Sequence, residues 1–250
     1  RTMRQIILAI NALLKFKAYT LINVLGLACS LACVLTVARY IHQENTVNQC
    51  FPEYKRICLI KTSTSSGENF LGGYRSGLEK NPDVEQFTVI YQISDMPALF
   101  GEQEIAANAF SVDSTFFKIF PYRVIAGSGR IVRPRDVVIT RSFWKKKLGG
   151  KNAIGATFKN TKGNKFTIIG VVDDPDTKTS WMPDIFMSDE LDEFLFFDPI
   201  YAMLMAPDTD IALLNKKYSK EHPRSKWSTY ETVRYQYLPL KDLYYDKDHG

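Results

Sequence analysis

The sequence is poor in the residues that most often bind metals, since only three of its 250 residues are histidines. His42, His222 and His249 lie far apart along the chain and in no CxxC or HExxH context. A structural or catalytic zinc site usually draws its ligands from such closely spaced motifs. The sequence therefore indicates no metal site and no metal cofactor.

Motifs for phosphate binding and nucleophilic catalysis are also missing. Neither G-x-x-x-x-G-K-[ST] nor G-x-S-x-G occurs, so the chain is not expected to hydrolyse ATP by itself or to use a serine nucleophile. The acidic residues 173–176 lack the glycine and the distal glutamate of an EF-hand loop, and a solvated turn is the expected structure. The net charge of +5 comes from scattered basic residues, whereas nucleic-acid binding needs a concentrated basic face. We expect no enzyme, no cofactor and no nucleic-acid partner.

Charge is absent from residues 18–38, a run of 21 residues between Lys17 and Arg39. As a helix this run is about 31 Å long, which is the thickness of a bilayer's hydrocarbon core. Two alternatives are a buried helix of a soluble protein, which is seldom uncharged on every face, and a cleaved signal peptide, which has a shorter apolar core. The run predicts a membrane span at residues 18–41, with the helix continuing to about Asn45.

The flanks of the run predict its orientation. Basic residues without any acid precede it, and positive residues stay on the cytoplasmic side. The N-terminus is therefore expected inside and residues 42–250 outside. Residues 1–17 place isoleucines and leucines at helical spacing, which predicts an amphipathic helix on the cytoplasmic membrane surface. The alternative is that these residues extend the span inward.

The large remainder, residues 42–250, is apolar and aromatic enough to form a folded core. Helices are predicted at 70–80, 114–120, 141–148 and 208–221, and strands at 56–62, 84–94, 104–112, 122–126, 137–140, 157–159, 165–172, 183–188, 201–206 and 230–239. Because the two kinds of element alternate without a regular βαβ period, we expect an α+β fold with mixed sheets. A change of pattern near residues 127–136 suggests two mixed α/β subdomains.

Two further features of the outer domain allow alternatives. Cys50 and Cys58 could form a disulfide in an oxidising compartment, but two cysteines alone are a weak signal. Trp181 and the aromatic residues of 194–197 are expected in the core or between subdomains, although an exposed aromatic patch would mark a partner surface.

Several stretches carry a resemblance to a known family. Residues 12–60, with the entry sequence LINVLGL, a span and then Glu44, resemble the opening of MacB/FtsX-type ABC transporter permeases. The aromatic–aspartate pair that usually follows the acid is replaced by Thr46-Val47-Asn48. Residues 116–121, 125–127, 136–140, 145–149, 152–155, 167–172 and 239–243 are similar, in order, to pieces of the family's periplasmic core domain.

The resemblance implies a permease subunit with four spans in a bacterial inner membrane, of which this chain is a fragment. It also implies a porter-like and a sabre-like subdomain, a second permease copy in a dimer, and a separate cytoplasmic ABC ATPase. A periplasmic or outer-membrane partner is a further expectation. Such systems couple ATP hydrolysis to periplasmic rearrangement for efflux or for lipoprotein or peptide export.

Residues at the two ends of a stiff span are the expected points of transmission. They are Lys15, Lys17, Arg39 and Glu44, which could equally serve only as membrane-boundary anchors. The main alternative to a permease is a receptor whose outer domain senses a ligand, and a second is a membrane-tethered enzyme, which the missing motifs disfavour. Three further spans after residue 250 would separate the permease from the receptor.

Overall fold

The structure, a computed structural model, describes residues 15–67, 69–72, 81–150, 152–188, 199–218, 222–223 and 232–246. The chain divides into two units, residues 1–46 and residues 47–250. The predicted surface helix falls largely outside the described residues, as do the aromatic residues of 194–197.

The first unit contains helix α1, Lys17–Asn45, whose 29 residues include none that is buried. Within the described residues it is the one helix long and apolar enough to cross a membrane, and its most apolar 18 residues have a mean hydropathy of 2.3. Two of its hydroxyl groups bond to its own backbone, Ser30 Oγ to Gly26 O and Thr36 Oγ1 to Ala32 O, both at 2.8 Å. A helix that satisfies its polar groups internally is what a bilayer interior requires.

In its described residues, the second unit is built from strands with three short α-helices. The strands are β1 Ile57–Thr64, β2 Asn69–Leu71, β3 Val84–Phe100, β4 Gln103–Val112, β5 Val124–Gly127, β6 Asp136–Thr140, β7 Thr157–Lys159, β8 Lys165–Val172, β9 Ile185–Ser188, β10 Ile200–Met205, β11 His222–Pro223 and β12 Thr232–Pro239. The helices are α2 Phe116–Ile119, α3 Arg141–Lys146 and α4 Ile211–Tyr218, and a 3₁₀ turn at Leu243–Tyr245 follows β12. Helices and strands are interspersed as expected for a mixed α/β fold.

The described strands pair into one sheet in the order β11-β12-β1-β10-β3-β4-β9-β6-β8-β5, with β2 on β1. Most pairs are antiparallel, while β4 with β9 and β6 with β8 are parallel. Strand β7 pairs with both β8 and β3, the latter at Leu99 and Lys159. The strands β3-β4-β9-β6-β8-β7 thereby form a closed ring next to an open antiparallel sheet.

Strand β3 belongs to both the open sheet and the ring. Its first half pairs with β10, and its second half pairs with β4 and β7. The register with β4 shifts between Ile93 and Met96, and Asp95 between them has a φ of +50°. A bulge of this kind bends a strand and increases its twist, so β3 can turn from one part of the sheet into the other.

Buried side chains form three clusters. The first lies on one face of the open sheet with Phe116, Phe120, Trp181 and the segment after β12, and the second fills the ring around Phe158 and Phe166. The third lies on the opposite face of the open sheet with Leu214 of α4. Strand β1 alternates between the first and third clusters, so both of its faces are covered. The prediction that Trp181 lies in the core is confirmed.

Some predicted boundaries are wrong. The helix predicted at 70–80 begins in residues that form β2, where Phe70 pairs with Thr62 of β1; residues 73–80 lie outside the described part. Strand β3 continues to Phe100, beyond the predicted end at Ser94. Helix α3 ends at Lys146 and helix α4 begins at Ile211, so both are shorter than predicted. The predicted subdomain division near 127–136 stays a prediction.

Candidate transmission junction

The four residues predicted at the ends of the span all lie in or directly before α1. Lys15 precedes the helix, Lys17 is its first residue, and Arg39 and Glu44 lie in its second half. Lys15, Lys17 and Arg39 are exposed and Glu44 is partly buried. Lys17 and Arg39 are about 33 Å apart along the helix axis. Their position fits both transmission and membrane-boundary anchoring, and their role stays a prediction.

The chain enters the second unit, residues 47–250, at a buried asparagine. This unit is called the outer domain. Asn48 is 0% exposed and its backbone N–H donates to Lys178 O at 2.8 Å. Its side-chain Nδ2 donates to Ser180 Oγ at 2.9 Å and to Leu240 O at 3.0 Å. Its Oδ1 accepts from Ser180 N at 2.7 Å and from Thr179 Oγ1 at 3.0 Å. One side chain thus joins three segments that are distant in sequence.

The backbone of Asn48 is in the left-handed region, with a φ of +63°. Asparagine tolerates this conformation better than most residues other than glycine. Its neighbour Val47 is 2% exposed, so the entry to the domain is anchored by apolar burial as well as by hydrogen bonds. We use the name junction for residues 47–50, 177–181 and 240–246.

The segment after β12 is held by two cationic side chains. Lys61 Nζ lies 2.8 Å from both carboxylate oxygens of Asp246, and each side chain is 10% exposed. Lys178 Nζ donates to Tyr244 Oη at 2.5 Å and lies 4.3 Å from the centre of that ring. The first and last described parts of the outer domain therefore meet at the junction.

Next to the junction, residues 173–176 are tied to helix α3. Asp173 pairs with Arg123 and with Arg141 Nη2 at 3.0 Å, and the Arg123 hydrogen bond holds the pKa of Asp173 below its usual value. Asp174 accepts from Ser142 N at 3.2 Å and from Ser142 Oγ at 2.9 Å. The expected solvated turn is therefore wrong for Asp173, which is 9% exposed. Both carboxylates already have protein donors.

The cysteines of the outer domain are on different sides of β1. Cys50 packs against the first cluster, whereas Cys58 is buried in the third. Both are free thiols. Burial raises the pKa of Cys50, and it raises the pKa of Cys58 to about 12. Cys58 is therefore fully protonated at neutral pH, and the sheet separates it from Cys50.

The Lys61–Asp246 pair offers a test of how firmly the segment after β12 is held. Replacing Lys61 by methionine leaves the Asp246 carboxylate nearly buried without its cation, and we expect the free energy of unfolding to fall by about 2–3 kcal/mol. The measurement is urea unfolding of the full chain in mild detergent, followed by near-ultraviolet circular dichroism.

The control is the exposed pair of Arg56 with Glu53, which are 3.0 Å apart. Replacing Glu53 by glutamine is expected to cost less than about 1 kcal/mol, because exposed pairs contribute little. The double variant Lys61→Met/Asp246→Leu is expected to recover part of the loss. Equal effects of Lys61→Met and Glu53→Gln would contradict this account.

Sequence reasoning missed the main residues of the junction. Asn48, Ser180 and Asp246 carry no motif, and the residues to which they bond across the junction lie 130 or more positions away along the chain. One signal was available: Asn48 stands in the stretch that replaces the family's aromatic–aspartate pair.

A long apolar helix followed by a sheet-rich mixed α/β domain defines a membrane-anchored protein with one large domain outside the span. Residues 20–217 match the family model of the MacB-like periplasmic core domain. The chain belongs to this family, the outer domain of ABC transporter permeases, as its sequence predicted. Such domains are parts of transporters and are not catalytic.

Solved structures show the same fold at low sequence identity. A domain assigned to a permease protein of Porphyromonas gingivalis is 17% identical with a TM-score of 0.60, covering 76% of this chain and 91% of that one. The periplasmic region of MacB from Actinobacillus actinomycetemcomitans is 15% identical with a TM-score of 0.52, covering 68% and 83%. No curated protein sequence matches the chain.

Proposed function

We propose that this chain is part of a permease subunit that couples ATP hydrolysis by a separate cytoplasmic ATPase to rearrangement of its outer domain. In this proposal α1 crosses the bacterial inner membrane with its N-terminus in the cytoplasm, residues 47–250 lie in the periplasm, and two permease copies form a dimer. The observation that carries the proposal is the Asn48 network, which joins the residues directly after α1 to residues 179–180 and to Leu240.

Transmission of a movement from α1 to the outer domain depends on how stiff the connecting residues are. A helix held by its own hydrogen bonds moves as a rod, but a displacement reaches the domain only if the connection at its end is also stiff. We propose that Asn48 forms the outer domain's part of that connection, because its backbone and its side chain are both bonded within the second unit. A mobile linker at this position would absorb the movement. The network also reaches the segment after β12, which in a permease of several spans leads back towards the membrane.

Membership of the family suggests the general kind of transport but not the particular cargo. Efflux and the export of lipoproteins or peptides are the proposed roles, and a periplasmic or outer-membrane component is the proposed further partner. The described residues include no group of three or more histidine, cysteine, aspartate or glutamate side chains arranged to hold a metal ion. We propose a mechanical role for the outer domain, as part of a transporter.

Hydrogen exchange at the junction tests the proposal. The full-length gene product is isolated from native membranes, and a cytoplasmic ATPase is expected to purify with it. Addition of ATP should change the exchange rates of the Asn48 and Ser180 amides, and an ATPase variant that cannot bind ATP should abolish the change. The amide of Ile168, which bonds to Ala156 O at 2.9 Å in the ring, serves as the internal control.

The receptor alternative predicts a different outcome. A sensor domain would show exchange changes on adding a periplasmic ligand and none on adding ATP. Failure to recover any ATPase, together with ATP-independent exchange at Asn48, would overturn the permease proposal.

A further inference from the structure

A groove with cations at its rim lies beside α2, among residues that the junction does not use. It has a volume of about 480 Å³ and is lined by Asp113, Phe117, Lys118, Arg130, Ile131 and Val132 together with Val112, Ser114 and Ser188. We call it the basic groove. Its size falls within the range of ligand-binding pockets, about 300–1,000 Å³.

The charged residues that line the basic groove are two cations, Lys118 and Arg130, and one acid, Asp113, so its net charge is positive. Its acid, Asp113, already accepts hydrogen bonds from four groups: Thr88 Oγ1 at 2.7 Å, Val89 N at 3.1 Å, Thr115 N at 2.9 Å and Phe116 N at 3.1 Å. Lys118 and Arg130 are exposed. Neither has an ion pair with another residue in the part of the chain that the structure describes.

The loop of residues 128–135, which contributes Arg130, Ile131 and Val132 to the groove, is also basic. Residues 128–135 contain three arginines and no acid, and Arg133 and Arg135 are exposed like Arg130. Between them Val132 is 74% exposed, more than any other apolar side chain that the structure describes outside α1. Phe117 and Ile131 are half-buried beneath it against the first cluster. Arginine is enriched in protein–protein interfaces, and the exposed Val132 adds apolar area beside these arginines.

A second copy of this chain that presents the same face does not suit the groove, because the same cations would then meet. A membrane surface is also less suited, since the two cations line a bounded groove together with Ser114 and Ser188. From this arrangement we infer that the basic groove binds an extended acidic segment of a partner protein. Carboxylates of the partner pair with Lys118 and Arg130, and an aliphatic side chain of the partner packs on Phe117 and Val132.

The test uses a fluorescein-labelled peptide of alternating glutamate and leucine. A peptide of alternating lysine and leucine, which has the opposite charge, is the control. The full chain is held in phosphatidylcholine nanodiscs, and binding is followed by fluorescence anisotropy. The acidic peptide is expected to bind saturably and more weakly as salt is raised. The double variant Lys118→Glu/Arg130→Glu should weaken binding at least about tenfold.

Two further variants make the test specific. Lys162→Glu/Lys165→Glu changes the net charge equally at the exposed β7–β8 hairpin and should leave binding within about twofold of the wild type. Val132→Ser removes the aliphatic contact without touching the core, and should weaken binding several-fold.

Three results would overturn the inference. The first is equal loss of binding in both charge-reversal variants, which indicates non-specific attraction. The second is binding to phosphatidylglycerol vesicles that needs Lys118 and Arg130, without peptide binding. The third is peptide binding only after the acids of residues 189–198 are neutralised, which assigns the groove to the chain's own acidic stretch. None of these results depends on ATP coupling.

Discussion

Replacement of Asn48 by alanine is expected to lower the free energy of unfolding of the outer domain by about 4 kcal/mol. The side chain makes four hydrogen bonds, to Ser180 Oγ, Ser180 N, Thr179 Oγ1 and Leu240 O. Each contributes about 1 kcal/mol, and buried partners left without a bond cost at least as much. Alanine must also adopt the φ of +63° found at this position, which is strained for a residue with a Cβ.

Two other substitutions at the same position separate these effects. Asn48→Gly removes the side chain but accepts a positive φ, so it should be more stable than Asn48→Ala by about 1 kcal/mol. Asn48→Asp keeps the acceptor for Ser180 N but removes the donor to Leu240 O, and an intermediate loss is expected. The measurement is urea unfolding of the full chain in mild detergent. A loss below about 1 kcal/mol for Asn48→Ala would contradict the proposed network.

The second large effect is expected for Gly170→Ala in β8. Gly170 pairs with Gly127 of β5 and with Val138 of β6. A Cβ atom at this position would fall directly onto the carbonyl oxygen of Ser128 and 2.7 Å from its carbonyl carbon. Because both neighbours are backbone, no side-chain rotation relieves the clash.

The clash must move β5 away from β8. The main-chain bond from Ser128 N to Ile169 O, now 2.8 Å long, would be lost or lengthened. Strand β8 also supports β6 and β7, so the closure of the ring would weaken. We expect a loss of about 3 kcal/mol or more in the free energy of unfolding, together with poor expression of the folded chain.

Gly163→Asn is the matched control for Gly170→Ala. Gly163 lies at the tip of the β7–β8 hairpin with open space around its Cα and a φ of +80°, a conformation that asparagine tolerates. Its expected loss is below about 1 kcal/mol. Similar losses for both variants, measured by the same urea unfolding, would show that the crowding at Ser128 is not the cause.

Local sequence signals predicted many elements of the outer domain. The β7–β8 hairpin follows from alternating residues around Lys162-Gly163-Asn164, and the structure has strands at Thr157–Lys159 and Lys165–Val172. Helix α3 begins after Thr140, whose Oγ1 accepts from Phe143 N at 3.4 Å. These features depend on residues close together in sequence, which is why a pattern shows them.

The errors occur where distant pairing outweighs local preference. Phe70 lies in a strand because it pairs with Thr62, although the following residues suggest a helix. Strand β3 continues through Pro97, which pairs with Ala106 beyond the bulge at Asp95. Proline normally argues against a strand interior, and only the register with β4 shows that the strand resumes.

The sequence by itself determined the apolar helix, because a run of 21 uncharged residues is a property of composition and length. It also determined the family and the mixed α/β class of the outer domain. The junction was decided by the tertiary structure alone. Asn48 and Ser180 are 132 positions apart, and Lys61 and Asp246 are 185 apart. Their contacts depend on strand order and register across the whole sheet, which no local pattern encodes.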